Sequence, residues 1–117
     1  MSILDPAENA RLAVEVADDH MASEISMLDV REVCDFADFF VLMTAESTRQ
    51  INTLVEEIEG ALKGKGTRLH HREGTSDGGW VLLDFSDVIV HIFRAEDRDY
   101  YRLEGAWQGA VETVRIQ

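Results

Sequence analysis

The sequence predicts an α/β fold, a single domain with a mixed sheet of about five strands and helices packed on it. Two amphipathic helical patterns support it, as does "FFVLMTA" at residues 39 to 45, which is apolar on both faces. A third observation is the pair of apolar runs "WVLLDF" and "DVIVHIF", which predicts a hairpin. With 117 residues and 45% apolar content, the chain is long enough for one core, and disorder is not expected.

The first helix is predicted at "LDPAENARLAVEVADDHM". Asp5 is a suitable N-cap, Pro6 suits the first helical position, and Glu8 stands three residues after the cap. Apolar residues recur on one side at helical spacing, and charged residues recur on the other. The next segment, "EISMLDV", predicts the first strand.

The second helix follows the central strand at residues 39 to 45. Ser47 and Gln50 form a capping-box pattern, and "KGKG" supplies glycines that can end the helix. The apolar positions keep the spacing i, i+3, i+4 and i+7: Ile51, Leu54, Val55, Ile58 and Leu62. Since "TRLHHRE" predicts a further strand, the strand–helix–strand unit spanning residues 39 to 72 implies a parallel crossover.

The remaining segments complete the predicted order of elements. "GTSDGG" predicts a loop, the hairpin occupies residues 80 to 93, and "AEDRDYYRLEGAW" predicts a last helix. Residues 109 to 117 predict a weakly ordered tail of the single domain 1–117. The helices and strands are therefore ordered helix, strand, strand, helix, three strands, helix.

The hairpin has two different faces if Ser86 and Asp87 are the central residues of a two-residue turn. Side chains alternate along each strand, so one face is wholly apolar: Val81, Leu83, Phe85, Val88, Val90 and Ile92. The other face mixes large apolar groups with an acid and an imidazole: Trp80, Leu82, Asp84, Ile89, His91 and Phe93. The first face is expected to lie in the core.

Three interpretations of the mixed face compete. The first is a covered structural face with a hydrogen-bonded His91, which is favoured because buried polar groups are usually satisfied rather than functional. A metal or acid–base site would use Asp84 and His91 with His70 or His71, but strand alternation directs Asp84 and Asp87 to opposite faces. A protein-recognition face fits a Trp with aliphatic neighbours and isolated charges.

Charge and cysteine content restrict the function further. The formal net charge of -12 disfavours direct nucleic-acid binding and favours a basic partner, although acidity also serves solubility alone. Cys34 is the single cysteine, so no disulfide can form within the chain. No apolar run is long enough for a membrane span, and the acidic N-terminus is unlike a secretory signal. A cytoplasmic protein is therefore expected.

Four segments together resemble a known family: "FADFFVLMTAESTRQ", "REG", "GGWVLLDFSDVIVHIF" and "DYYRLEGAW". In this order and spacing they resemble the ribosomal silencing factor family, also called Iojap-related, over roughly residues 5 to 107. The resemblance implies a mixed α/β fold related to nucleotidyltransferases but without their catalytic carboxylates. It also implies no catalytic residue, no metal and no cofactor.

The resemblance implies a translational repressor. Family members bind ribosomal protein L-fourteen on the large ribosomal subunit, block joining of the small subunit and lower translation under nutrient limitation. A homodimer is also implied, since family members are often dimeric. The partner-binding residues expected from the motif match and the mixed face are Glu73, Trp80, Leu82, Asp84, Asp87, Ile89 and His91.

Roles within that set are expected as follows. Trp80 and Leu82 supply an apolar anchor, while Asp84 and Glu73 pair with Lys or Arg of the partner. Gly74 shapes the loop. The chain departs from the family pattern at two positions, where Ser86 and Ala45 replace glycines; Ser86 puts the tight turn in question, and Ala45 predicts no positive φ.

Two alternative functions stay open at this point. A nucleotidyltransferase-like enzyme would use Asp84, Asp87 and His91, and would bind a nucleotide and a divalent metal. A dimeric interaction module would recognise a different basic protein. Both remain compatible with the residues alone.

Overall fold

A computed structural model describes residues 4–96 and 110–116 of the chain. Two helices and six strands are formed there: α1 (Pro6–Asp19), β1 (Ser23–Asp29), β2 (Phe39–Ala45), α2 (Thr48–Gly64), β3 (His71–Thr75), β4 (Trp80–Asp84), β5 (Val88–Arg94) and β6 (Val111–Ile116). The predicted mixed α/β fold is confirmed. The helix predicted at residues 95 to 107 lies outside the described residues beyond Glu96.

The six strands form one sheet in the order β3-β4-β5-β2-β1-β6. The β2–β5 pair is parallel, and all the other neighbours are antiparallel. The prediction of about five strands was one short, because Val111–Ile116 pairs with β1 as an edge strand. The expectation of a weakly ordered tail was therefore wrong for these residues.

The predicted crossover joins two parallel strands, β2 and β3, but these strands are not neighbours in the sheet. Strand β3 runs parallel to β2, because β3 and β4 are antiparallel, β4 and β5 are antiparallel, and β5 is parallel to β2. Two strands nevertheless separate β2 from β3, so the connection that contains α2 runs from the middle of the sheet to its edge. The strand itself also starts later than "TRLHHRE" predicts, at His71.

Both helices begin as the sequence predicts. The Asp5 side chain accepts from the Glu8 backbone N–H at 2.8 Å, Glu8 accepts in return, and Pro6 is in the first turn, so the capping box is complete. At α2 the Ser47 hydroxyl accepts from the Gln50 N–H at 3.1 Å. The Gln50 side chain instead bonds the backbone N–H of Glu46, outside the cap. This extra bond ties the end of β2 to the first turn of α2.

The two faces of the sheet are buried differently. Both helices pack on the first face, where a large cluster joins α1 and α2 to Val41, Met43, Val81, Val90 and Ile92. A smaller cluster lies on the second face: Leu28, Val30, Cys34, Ala37, Phe40, Leu42, Ile89 and Phe93. The predicted wholly apolar face of the hairpin therefore lies in the main core, as expected.

The hairpin register agrees with the two-residue turn. Val81 pairs with Ile92, Leu83 pairs with Val90, and the Phe85 N–H donates to the Val88 carbonyl at 2.9 Å. Ser86 takes a φ of 75°, so the turn forms with a serine in a conformation that favours glycine. The Asp87 backbone N–H donates to the Phe85 carbonyl at 3.1 Å, and this hydrogen bond closes a γ-turn around Ser86. Ala45, by contrast, is ordinary strand with no positive φ.

Replacing Ser86 by glycine is expected to stabilise the protein by about 0.5–1 kcal/mol. A non-glycine residue in the left-handed region costs about 1–2 kcal/mol, and the larger entropy of an unfolded glycine offsets part of the gain. Ser86→Ala keeps the Cβ and is the matched control, with no gain expected. Denaturant unfolding of the three proteins measures the difference; equal stability of Ser86→Gly and Ser86→Ala would contradict the strain.

Candidate partner-binding surface

The second face of the sheet carries most of the predicted partner-binding residues. Strand pairing sets which side chains share it: Glu73 lies opposite Leu82, and Leu82 lies opposite His91. Trp80 and Asp84 stand two residues away on β4, so they point to the same side. In this way three neighbouring strands bring the predicted residues onto one continuous strip.

Burial increases along this strip from the sheet edge to its centre. All five residues of β3 are exposed, including Glu73. On β4, Trp80, Leu82 and Asp84 are half-buried. On β5, Ile89 and His91 are only 5% exposed. The accessible part of the strip is therefore formed by β3 and β4, while Ile89 and His91 lie beside it on β5 and are buried.

Trp80 is held in place by His91. The indole Nε1 donates to His91 Nδ1 at 3.4 Å, and the two rings stack with centroids 6.4 Å apart. The Phe93 ring stacks on the imidazole at 6.1 Å, and Phe40 meets it edge-on at 5.4 Å. An aromatic side chain supported in this way has little conformational freedom to lose when it binds a partner.

His91 is kept neutral by its surroundings. Burial lowers the pKa of the imidazole from 6.5 to about 4, because the charged form loses its hydration among aromatic rings. A neutral ring leaves Nδ1 free to accept the indole proton, with its own proton on Nε2. The interpretation of His91 as a satisfied structural histidine matches this arrangement.

The His91 pKa predicts a pH dependence of stability. In the unfolded chain the His91 imidazole binds a proton near pH 6.5, whereas in the folded chain it does so only near pH 4. The free energy of unfolding therefore falls as the pH falls between these values. The loss reaches up to about 3 kcal/mol at the acid end. In His91→Gln, which still offers an acceptor to Trp80, this part of the slope should vanish. Urea unfolding of the wild type and of His91→Gln at pH 7 and pH 5 measures the two pH dependences of stability. An equal loss of stability in both proteins would contradict the assignment to His91.

The three predicted acids make different local contacts. The Asp84 carboxylate accepts from the Ser86 backbone N–H at 2.7 Å and so shapes the hairpin turn. Glu73 lies 3.5 Å from the His71 imidazole, and both are about half exposed. Asp87 is exposed in the turn, where its carbonyl accepts from the Asp38 and Phe39 backbone N–H groups.

The structure brings Asp84 next to His71 rather than next to His91. His71 is the register partner of Asp84, and His91 is the partner of Leu82. Asp87 stays in the turn, away from the strip. Across residues 4–96 and 110–116, no group of three or more His, Cys, Asp or Glu residues could hold a metal ion. The sequence pattern did not reveal the Trp80–His91 hydrogen bond, which depends on the hairpin register.

Together these features define a mixed α/β protein with helices on one face of its sheet and a Trp-centred, acid-flanked strip on the other. A family model described as "Ribosomal silencing factor during starvation" matches residues 4–117. The chain belongs to this ribosomal silencing factor family, and it is therefore grouped with regulators of translation. The family expectation from the sequence is confirmed.

Relatives and solved structures agree with the family. The ribosomal silencing factor RsfS of Halalkalibacterium halodurans is 33% identical over 110 residues, which cover 94% of this chain and 93% of that protein. The chloroplastic protein Iojap of Arabidopsis thaliana is 32% identical over 111 residues, covering 92% of this chain but 46% of that protein. A crystal structure of a Chromobacterium violaceum protein has a TM-score of 0.84 at 31% identity, covering 95% and 94% of the chains.

Neither described helix has the length and apolar character needed to span a membrane.

Proposed function

We propose that this protein represses translation by binding ribosomal protein L-fourteen on the large ribosomal subunit and blocking the joining of the small subunit. The observation that carries the proposal is the accessible strip led by Trp80, flanked by carboxylates, in a chain of formal net charge -12. Such a surface suits a basic protein partner, because attraction of opposite charges speeds encounter and a buried aromatic anchor slows dissociation.

The contact residues take distinct roles in this proposal. Trp80 and Leu82 supply the apolar anchor, since both are half-buried and retain accessible surface. Glu73 and Asp84 pair with Lys or Arg side chains of the partner, and Asp87 adds negative charge at the hairpin turn. Ile89 and His91, buried next to the strip on β5, support it rather than touch the partner.

The mechanism requires no chemical step. A protein bound where the two subunits meet excludes the small subunit sterically, so the extent of repression depends on affinity and concentration. Under nutrient limitation this would lower translation in the cytoplasm. A homodimer would compete with the ribosome only if its interface overlapped the Trp80 strip.

Subunit joining tests the proposal directly. Purified bacterial large and small subunits are mixed with increasing protein, and light scattering follows formation of the complete ribosome. We expect joining to fall as the protein rises, and we expect the protein to sediment with large subunits alone. Sedimentation with neither subunit, together with unchanged joining, would reject the proposal. Recovery of a different basic protein in a pull-down would then indicate another partner.

A further inference from the structure

We propose that Phe36 and the carboxylates beside it extend the partner-binding surface, and that they hold an arginine-bearing segment of the same basic protein partner. This inference rests on the proposed function. The contact region consists of the segment from Glu32 to Asp38, called here the Phe36 loop, which joins β1 to β2.

The Phe36 loop presents apolar surface to solvent. Phe36 is 62% exposed and Val33 is 36% exposed. Phe36 is the one aromatic residue among the large exposed hydrophobics of the described residues; the others are Met21, Val33 and Val111. Aromatic residues, phenylalanine among them, are enriched in protein interfaces relative to the rest of the surface.

The backbone of the loop is held at both ends. The Cys34 N–H donates to the Val30 carbonyl at 2.8 Å, and the Val30 N–H donates to the Asp38 carbonyl at 3.0 Å. The Asp38 N–H in turn donates to the carbonyl of Asp87 in the hairpin turn at 2.8 Å. Cys34 is buried in the cluster on the second face. Phe36 therefore stands on a loop that is already ordered before any partner binds.

A row of rings connects Phe36 to the Trp80 strip. The Phe36 ring lies 6.3 Å from Phe40, Phe40 lies 5.4 Å from His91, and His91 lies 6.4 Å from Trp80. Phe40 and His91 are buried, whereas the two ends of the row are accessible. Phe36 and Trp80 thus share one face of the sheet, where a single partner can contact both.

The charge of the loop is negative throughout. The loop carries Glu32, Asp35 and Asp38 and no Lys or Arg, and Asp87 lies against its end. Arg31, which directly precedes the loop, binds Asp29 at 2.6 Å and interacts more weakly with Asp38 and Glu32. Hydrogen bonding to Arg31 also holds the pKa of Asp29 below its ordinary value. A partner segment with positive charge is therefore complementary to this end of the face.

An arginine fits the site better than a lysine. A planar guanidinium can stack on a phenyl ring while it pairs with a carboxylate, whereas an ammonium is a more strongly hydrated point charge. The chain itself uses this combination next to the loop: the Arg31 guanidinium lies 5.2 Å from the Phe39 ring centroid and pairs with Asp29. Phe36, together with the exposed Asp35 next to it in the chain, offers the same chemistry to an arginine from outside.

The affinity of variants for purified bacterial large ribosomal subunits tests the inference. Phe36→Ala is expected to weaken binding about tenfold, a typical effect for an aromatic interface anchor. Asp35→Lys should slow association and flatten the dependence of affinity on salt. Met21→Ala, which removes an 80% exposed apolar side chain after α1, is the matched control and should bind like the wild type. Thermal unfolding establishes that each variant is folded.

The outcomes separate this inference from the proposed function. If the wild type binds and Phe36→Ala binds within twofold of it, the Phe36 contact is rejected while the proposed function stands. If the wild type does not bind large subunits, both are rejected. If Phe36→Ala changes only self-association, measured by analytical ultracentrifugation, the loop is a contact between copies of the chain, and the inference is also overturned.

Discussion

Replacing Trp80 by alanine is expected to reduce affinity for the large ribosomal subunit by at least about thirtyfold, or about 2 kcal/mol. The indole is half-buried and anchored by its hydrogen bond to neutral His91, so it is presented to a partner in one orientation. Truncation removes the largest apolar group of the accessible strip. Sedimentation with purified large subunits, or surface-immobilised binding kinetics, measures the loss, which should occur mainly through faster dissociation.

Two further variants define the origin of that loss. Trp80→Phe keeps an aromatic ring but loses the Nε1 donor, so an intermediate affinity is expected. Leu82→Ala, a neighbour on the same strand face, should cost less because its side chain is smaller. If Trp80→Ala folds normally and still binds like the wild type, the surface of β3 and β4 is not the ribosome-binding surface.

Replacing Gly74 by alanine is expected to destabilise the protein by about 2–4 kcal/mol. Gly74 has a φ of 80°, and a Cβ at this position would lie 2.2 Å from the Trp80 carbonyl oxygen. Because the obstructing atom belongs to the backbone, no side-chain rotation relieves the clash. Strand β3 would have to move away from β4, which would also displace Glu73 from the strip. The free energy of unfolding in urea measures the effect.

Gly60 is the matched control for Gly74. It lies in the interior of α2, and a Cβ there would meet no atom within 4 Å. Gly60→Ala should therefore stabilise the protein by about 1 kcal/mol, since glycine is a poor helix former. If both substitutions changed stability in the same direction, the close approach of Gly74 to Trp80 would not be the cause.

Local signals in the sequence predicted α1, α2 and the hairpin well. The side chains of Asp5 and Ser47 accept backbone N–H groups of the first helical turns, as predicted for N-caps. Strand β2 has the same bounds as the run "FFVLMTA". The turn at Ser86 formed as the two-residue register predicts, even with a serine in place of glycine. These features depend on neighbouring residues, and that is why the sequence alone was sufficient.

Long-range pairing was less predictable. Strand β6 is mostly exposed and carries two charged residues, Glu112 and Arg115, so its own residues give little strand signal. It is held by pairing with β1 and by a polar contact in which Arg115 reaches Glu112 and Ser26. Similarly, the connection through α2 does not place β3 next to β2, because β4 and β5 lie between these two strands in the sheet. Neither arrangement follows from local spacing.

Strand alternation predicted which side chains of the hairpin share the second face of the sheet, but not how deeply each is buried. Alternation along the hairpin placed Trp80, Leu82 and His91 on one side, which the register bears out. Alternation does not say how far a side chain lies below the surface. His91 is 5% exposed, and the rings of Phe40 on β2 and Phe93 on β5 itself lie against it.

The pairing of β2 with β5 has a consequence for how the chain folds. All seven residues of β2 are buried, yet its parallel neighbour is synthesised only after α2, β3 and β4. During translation one edge of this apolar strand therefore stays unpaired until residue 94 has been added. Such non-local pairing slows folding and leaves an edge open to aggregation. We expect nascent chains that end before β5 to depend on chaperones and to be cleared by proteases.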